Sequence, residues 1–179
     1  MTCSCIAIGG IPASGKSTLI NTIYKDLDVN TNFKSGLIRG HYLKEYNLLI
    51  VGIYNTFKKF KGTDLLSMSA QADFKKLIDL NKYNIVFEGD RLFTNDILEY
   101  VNKKYKLNAI ILKTTNENIE KRHKQRKDKQ TEKFLKSRNT KINNILKNPN
   151  LKIQTFNNDN LEDMSKLVMM LVAIIKKFK

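Results

Sequence analysis

The chain has 179 residues with a hydrophobic share of 41%, which predicts one domain with a buried core. Two cysteines exclude a disulfide scaffold. The longest apolar run, nine residues from Leu167 to Ile175, falls short of the roughly 20 that a membrane span needs. The net charge of +15 points toward a polyanion such as nucleic acid. Most of the basic excess is Lys rather than Arg, and Asn is abundant too, a bias that AT-rich coding also produces. The placement of charge therefore says more than its total.

In chain order, residues 4–8 predict a short apolar strand, and no signal peptide is expected because this run leads directly into a glycine loop. Cys3 and Cys5 fall on one face of the strand, too cramped for a disulfide. They read as small core residues in a reducing cytoplasm. The loop Gly10-Ile11-Pro12-Ala13-Ser14-Gly15-Lys16-Ser17 satisfies G-x-x-x-x-G-K-[ST] in full. A helix over 16–26 follows it. Such a loop wraps a phosphate chain with inward-pointing N–H groups. Gly10, Ala13, Ser14, Gly15, Lys16, Ser17 and Thr18 are the candidate nucleotide-holding residues. Lys16 would reach the β- and γ-phosphates, and the Ser17 hydroxyl would hold Mg²⁺.

Strands at 37–42 and 48–54 are close enough to form a hairpin. Further strands are predicted at 84–88, 108–113 and 151–156, and helices at 70–80, 94–104, 115–127, 131–147 and 160–178. Strands alternating with helices predict an α/β fold with a mainly parallel sheet. Ligands of such sheets lie at the carboxyl ends of the strands. The C-terminal helix reads as a core cover rather than a membrane anchor.

The strand ends carry three constellations. Glu88-Gly89-Asp90-Arg91 sets two carboxylates after an apolar strand, suited to hold Mg²⁺ or orient a nucleophile; the plain alternative is a polar turn with Asp90 paired to Arg91. Gly62-Thr63-Asp64 offers Asp64 as a proton acceptor or as a helix cap. Arg39 and His41 lie on a hairpin strand and are candidates to touch an acceptor, although a solvated face suits His41 as well. The span Lys121 to Lys147 holds eleven basic residues against two acidic ones. Arg122 and Arg126 share a helix face there. A basic segment over bound ATP would bring them to the transferred phosphoryl group; otherwise they belong to a solvated helix.

The segments G-I-P-A-S-G-K-S-T, G-T-D-L-L-S-M, E-G-D-R-L-F and Q-T-E-K-F-L-K-S-R-N-T-K-I-N-N-I occur in one order. Together they resemble phage-encoded P-loop kinases of the nucleotide- and polynucleotide-kinase type, in particular those that phosphorylate 5-hydroxymethyluracil in DNA. The resemblance implies ATP, Mg²⁺ and a P-loop kinase fold. That fold is a five-stranded, mainly parallel sheet sandwiched by helices, here with a hairpin insertion at about 36–64 and a basic lid at about 115–147. The thymidylate-kinase Asp-Arg-Tyr pattern appears only as Asp90-Arg91-Leu92. Asn81-Lys82-Tyr83-Asn84 fails the guanine-specificity motif at its Asp.

The sequence thus predicts a Mg·ATP-dependent phosphotransferase acting in a cytoplasm, the host's if phage-encoded. Lys16, Asp64, Arg122 and Arg126 are the expected catalytic residues. Ser17 and Glu88 are expected at the metal, and Arg39, Asp90 and Arg91 at the acceptor. Hydroxymethylated DNA is the expected partner. A free nucleoside or nucleotide is the alternative acceptor, and a non-catalytic nucleotide- or DNA-binding protein is the rival class.

Overall fold

The computed structural model describes residues 2–28, 31–54, 61–127 and 130–178, with the side chain of Arg126 also outside that set. Seven strands form one sheet: β1 (Ser4–Gly10), β2 (Asn32–Ser35), β3 (Ile38–Leu43), β4 (Leu48–Val51), β5 (Asn84–Glu88), β6 (Lys106–Lys113) and β7 (Ile153–Asn157). Their spatial order is β2-β3-β4-β5-β1-β6-β7. The five strands from β4 to β7 in that order run parallel. β2 and β3 extend the sheet antiparallel.

Alternation along β1 explains both layers. Cys5 and Ala7 point into one core, and Ile6 and Ile8 into the other. The first core is closed by α2 (Ala70–Asp79), α3 (Asn95–Asn102) and α5 (Glu132–Leu146) through Phe74, Leu77, Ile97, Leu98, Ile142 and Ile145. The second is closed by α1 (Lys16–Asp26) and α6 (Leu161–Ile175) through Leu19, Ile20, Ile23, Leu167, Leu171 and Ile175. These apolar positions recur at helical spacing, so one stripe of each helix is buried. α4 (Asn116–Arg126) buries no side chain among its described residues. α6 covers the core, as its sequence predicts. Among the described residues no helix is long and apolar enough to cross a membrane.

The hairpin differs from expectation in one respect. β3 and β4 do pair antiparallel, around a 3₁₀ turn at Lys44–Tyr46 and a left-handed Asn47. However, β4 is itself a parallel core strand, in register with β5 from Leu48↔Asn84 to Val51↔Phe87. The added edge is β2–β3, and β2 is a strand the sequence reading lacks. Its four residues, Asn-Phe-Lys-Ser, are half-buried at best, too short and polar to stand out as an apolar run. β1 has β5 on one side and β6 on the other, so chain connections reverse direction there. That reversal opens a crevice at the carboxyl end of β1.

Candidate active site

β1 ends in the glycine loop at this crevice. Gly10 (φ 142°) and Gly15 (φ 97°) take conformations that side chains avoid. A Cβ at Gly10 would lie 2.6 Å from Ser14 Oγ and 2.7 Å from the Leu112 carbonyl oxygen. Gly15 is also the N-cap of α1, and no side chain closes that helix end. By contrast, Thr94, Thr115, Thr131 and Asn160 cap α3, α4, α5 and α6. α1 therefore presents uncapped N–H groups and its positive dipole end to the loop. Lys16 Nζ spans the loop and donates to the carbonyls of Gly10 and Ile11, at 2.9 Å each.

Beside the loop stands Glu88, the last residue of β5, paired with Ile8 of β1 and 1% exposed. Its Oε1 accepts from Ser17 Oγ at 3.2 Å and from the Tyr54 hydroxyl at 3.3 Å. Thr63 Oγ1 donates to its backbone carbonyl at 2.5 Å. Gly62, at φ 76°, lets the neighbouring chain close on the carboxylate, since any Cβ there would overlap Glu88 Oε1. Burial lifts the Glu88 carboxyl to about 7; Lys16 pulls it down, and Asp64 pushes it up. Ser17 and Glu88 are both hard oxygen donors within one ion's reach. Among the described residues no three His, Cys, Asp or Glu cluster. That donor set fits Mg²⁺, which takes one or two protein oxygens and completes its shell with phosphate and water.

Glu88 yields a pH prediction. Its folded pKa is raised, so its contribution to stability is complete below its ordinary 4.5 and is lost as pH rises through about 7. Without metal or nucleotide, Glu88→Gln should match the native chain near pH 4 and exceed it by about 3 kcal/mol at pH 8. Denaturant melts at the two pH values check this. A stability gap that does not grow with pH would contradict it.

Asp64 lies in a single 3₁₀ turn, Thr63–Leu65, and is exposed to the cleft rather than capping a helix. Crowding by surrounding protein raises its carboxyl; Lys16 opposes this, Asp90 adds to it, and Arg91 and Arg138 oppose it further. Asp90 pairs with α5 instead of Arg91: its carboxylate meets Arg138 Nε at 3.1 Å and Lys141 Nζ at 3.6 Å. Lys141 Nζ also donates to the Asp90 carbonyl at 2.7 Å. Arg91 turns the other way, toward Met68 Sδ and the Asp64 carbonyl, the latter at 3.2 Å. These groups share a cleft of about 850 Å³ that runs from Lys16 and Ser17 past Asp64 and Asp90 to Phe134 and Arg138.

Shikimate kinase from Bacteroides thetaiotaomicron, a crystal structure, is similar over 97% of this chain and 98% of its own, with a TM-score of 0.51 and 16% sequence identity. The architecture is a P-loop kinase fold. Likeness at that identity speaks for the fold alone. No protein-family model and no curated protein matches the chain.

In this P-loop kinase fold the remaining sequence candidates separate. Gly10, Ala13, Ser14, Gly15, Lys16, Ser17 and Thr18 lie together in the loop and the start of α1. Arg39 is turned back on its own hairpin, donating to the Gly36 and Ile38 carbonyls at 2.6 and 3.0 Å, and does not line the cleft. His41 is not on a solvated face. It is 3% exposed because Tyr24 of α1 packs edge-on at 4.7 Å. Its Nε2 accepts the Tyr54 N–H at 3.4 Å, and burial lowers its pKa. Arg122 braces the loop from behind, donating to the Ala13 carbonyl at 3.0 Å and the Asn158 carbonyl at 2.7 Å. The side chain of Arg126 lies outside the described residues. Tyr54, Thr63, Arg138, Lys141 and Asn158, whose Nδ2 donates to the Ser14 carbonyl at 2.7 Å, were not among the sequence candidates. One signal was available: Phe134, Arg138 and Lys141 are spaced four and three apart, which puts them on one face of α5.

Proposed function

We propose that this chain transfers the γ-phosphate of ATP to a hydroxyl group, with Mg²⁺ required. The observation that carries this is a single cleft with an uncapped, lysine-spanned phosphate loop at one end and an open carboxylate, Asp64, beside it. Lys16 and the loop N–H groups hold the β- and γ-phosphates. Ser17 and Glu88 would hold Mg²⁺, which supplies charge neutralisation across those phosphates. Asp64 takes the acceptor's proton as the acceptor oxygen bonds to the γ-phosphorus, and the bond to the β–γ bridging oxygen breaks to leave ADP. The three candidate carboxylates sort by surroundings: Glu88 is buried on Ser17 and Tyr54, Asp90 is ion-paired, and Asp64 alone faces the cleft without a salt-bridge partner among the described residues. Arg138 and Lys141 add fixed positive charge to the wall. Arg122 acts through the loop it braces.

The acceptor in this reading is a hydroxymethyl pyrimidine base in DNA, as in the phage kinases the motifs resemble. The open cleft and the eleven basic residues between Lys121 and Lys147 support it. Two free cysteines fit the reducing cytoplasm in which such an enzyme would work. A free nucleoside or nucleotide is the second reading. It is favoured by Asp90, which offsets charge on Arg138 and Lys141, and by the fold shared with a kinase whose name is that of a small molecule. Competition for transfer among hydroxymethylated DNA, unmodified DNA, 5′-hydroxyl oligonucleotides, free nucleotides and shikimate separates these readings. With DNA as acceptor, kcat/KM should fall steeply with salt, because several phosphates are neutralised. Transfer to free nucleotides alone, with a shallow salt slope, would refute the DNA reading.

A further inference from the structure

Two side chains stand apart on the cleft wall. Most of the residues that line that wall are polar or charged. Yet among the described residues two of the few exposed large apolar side chains, Met68 at 81% and Phe134 at 37% exposure, line this one cavity. They come from separate elements, Met68 from the turn before α2 and Phe134 from the start of α5. Met68 Sδ meets the Arg91 guanidinium, but leaving most of this side chain and a phenyl ring in water forgoes burial energy, and neither belongs to a core cluster. Phe134 is also held in place: the Arg138 guanidinium stacks over its ring at 4.5 Å and is itself fixed by Asp90. Beside them Gln130 brings to the wall a buried Oε1 that lacks a hydrogen-bond partner among the described residues.

We propose that Phe134 and Met68 are the two jaws of an acceptor subsite that grips a planar heteroaromatic ring, with the Gln130 amide reading the ring edge. The inference places the acceptor of the proposed phosphotransfer, and rests on that reading for its chemistry but not for its binding. A nucleobase offers π-faces for a phenyl ring on one side and a polarisable sulfur on the other. Its edge carries donors and acceptors that match a primary amide. A ring-free or saturated acceptor offers none of these, so the subsite selects a base-bearing acceptor.

The chain has no tryptophan, so Phe134→Trp places a single indole in the cleft. Native chain, Phe134→Trp, Phe134→Ala and Met68→Ala are each saturated with a non-hydrolysable ATP analogue, which fills the donor site. They are then titrated with 5-hydroxymethyldeoxyuridine monophosphate and with base-free ribose 5-phosphate, by calorimetry and by indole fluorescence. The nucleotide should bind the native chain and quench the Phe134→Trp indole. Phe134→Ala should weaken it about 5- to 150-fold, the range for loss of one stacked base, and Met68→Ala should weaken it less. Ribose 5-phosphate should bind all four alike. Equal affinity for the two ligands, or nucleotide affinity unchanged in Phe134→Ala, would overturn the subsite. Stacked binding without phosphoryl transfer to any acceptor would leave the subsite standing and remove the phosphotransferase reading. Efficient transfer to ribose 5-phosphate, with KM unmoved in Phe134→Ala, would do the reverse.

Discussion

Asp64→Asn should lower turnover by about 10²–10⁴-fold, the usual cost of a lost, positioned base, while ATP affinity stays nearly unchanged. Asn keeps the size of the side chain and removes its ability to take a proton. The Asp64 backbone carbonyl that accepts from Arg91 is untouched, so the local fold should survive. The raised carboxyl of Asp64 adds a second signature. The base works only when ionised, so activity should fall as pH drops through its raised pKa, and that acid limb should vanish in the variant. Steady-state kinetics across pH check both. If Asp64→Asn turns over near the native rate while Asp90→Asn is inactive, the two residues exchange roles.

Lys16→Ala should be nearly as severe. Lys16 spans the loop, bonding the Gly10 and Ile11 carbonyls, and lines the cleft in which the proposed transfer takes place. Removing a fixed donor from a transition-state site costs about 10²–10³-fold in rate, and ATP affinity should fall too because the loop loses its internal tie. Calorimetric ATP titration and single-turnover transfer separate the two losses. Unchanged binding together with unchanged turnover would remove Lys16 from the site.

The phosphate loop was legible because its eight contiguous residues carry their own geometry. The helices were legible because their apolar stripes repeat locally, as in Leu19, Ile20 and Ile23 of α1. Ile85-Val86-Phe87 and the run from Ala109 to Leu112 showed as strands because both faces are buried. Long-range meetings were not legible. Nothing local says that Tyr54, Gly62 and Thr63 converge on Glu88, residues 25 and 34 positions apart in the chain for Thr63 and Tyr54. His41 is buried where α1 delivers Tyr24 and the chain after β4 delivers Tyr54. Arg122 and Arg138 look equivalent in sequence. Their roles diverge because α5 packs on the sheet through Ile142 and Ile145, which aims Arg138 at Asp90, while α4 leaves Arg122 against the loop's outer side.

In the proposed reaction the γ-phosphate passes to an acceptor hydroxyl rather than to water. Phosphorus NMR of the native chain with Mg²⁺, ATP and the acceptor set reads this directly. ADP and a new phosphomonoester signal on an acceptor should appear, and both should be lost in Lys16→Ala. ADP with inorganic phosphate as the only other product, or ATP left unconsumed beside every acceptor, would contradict it.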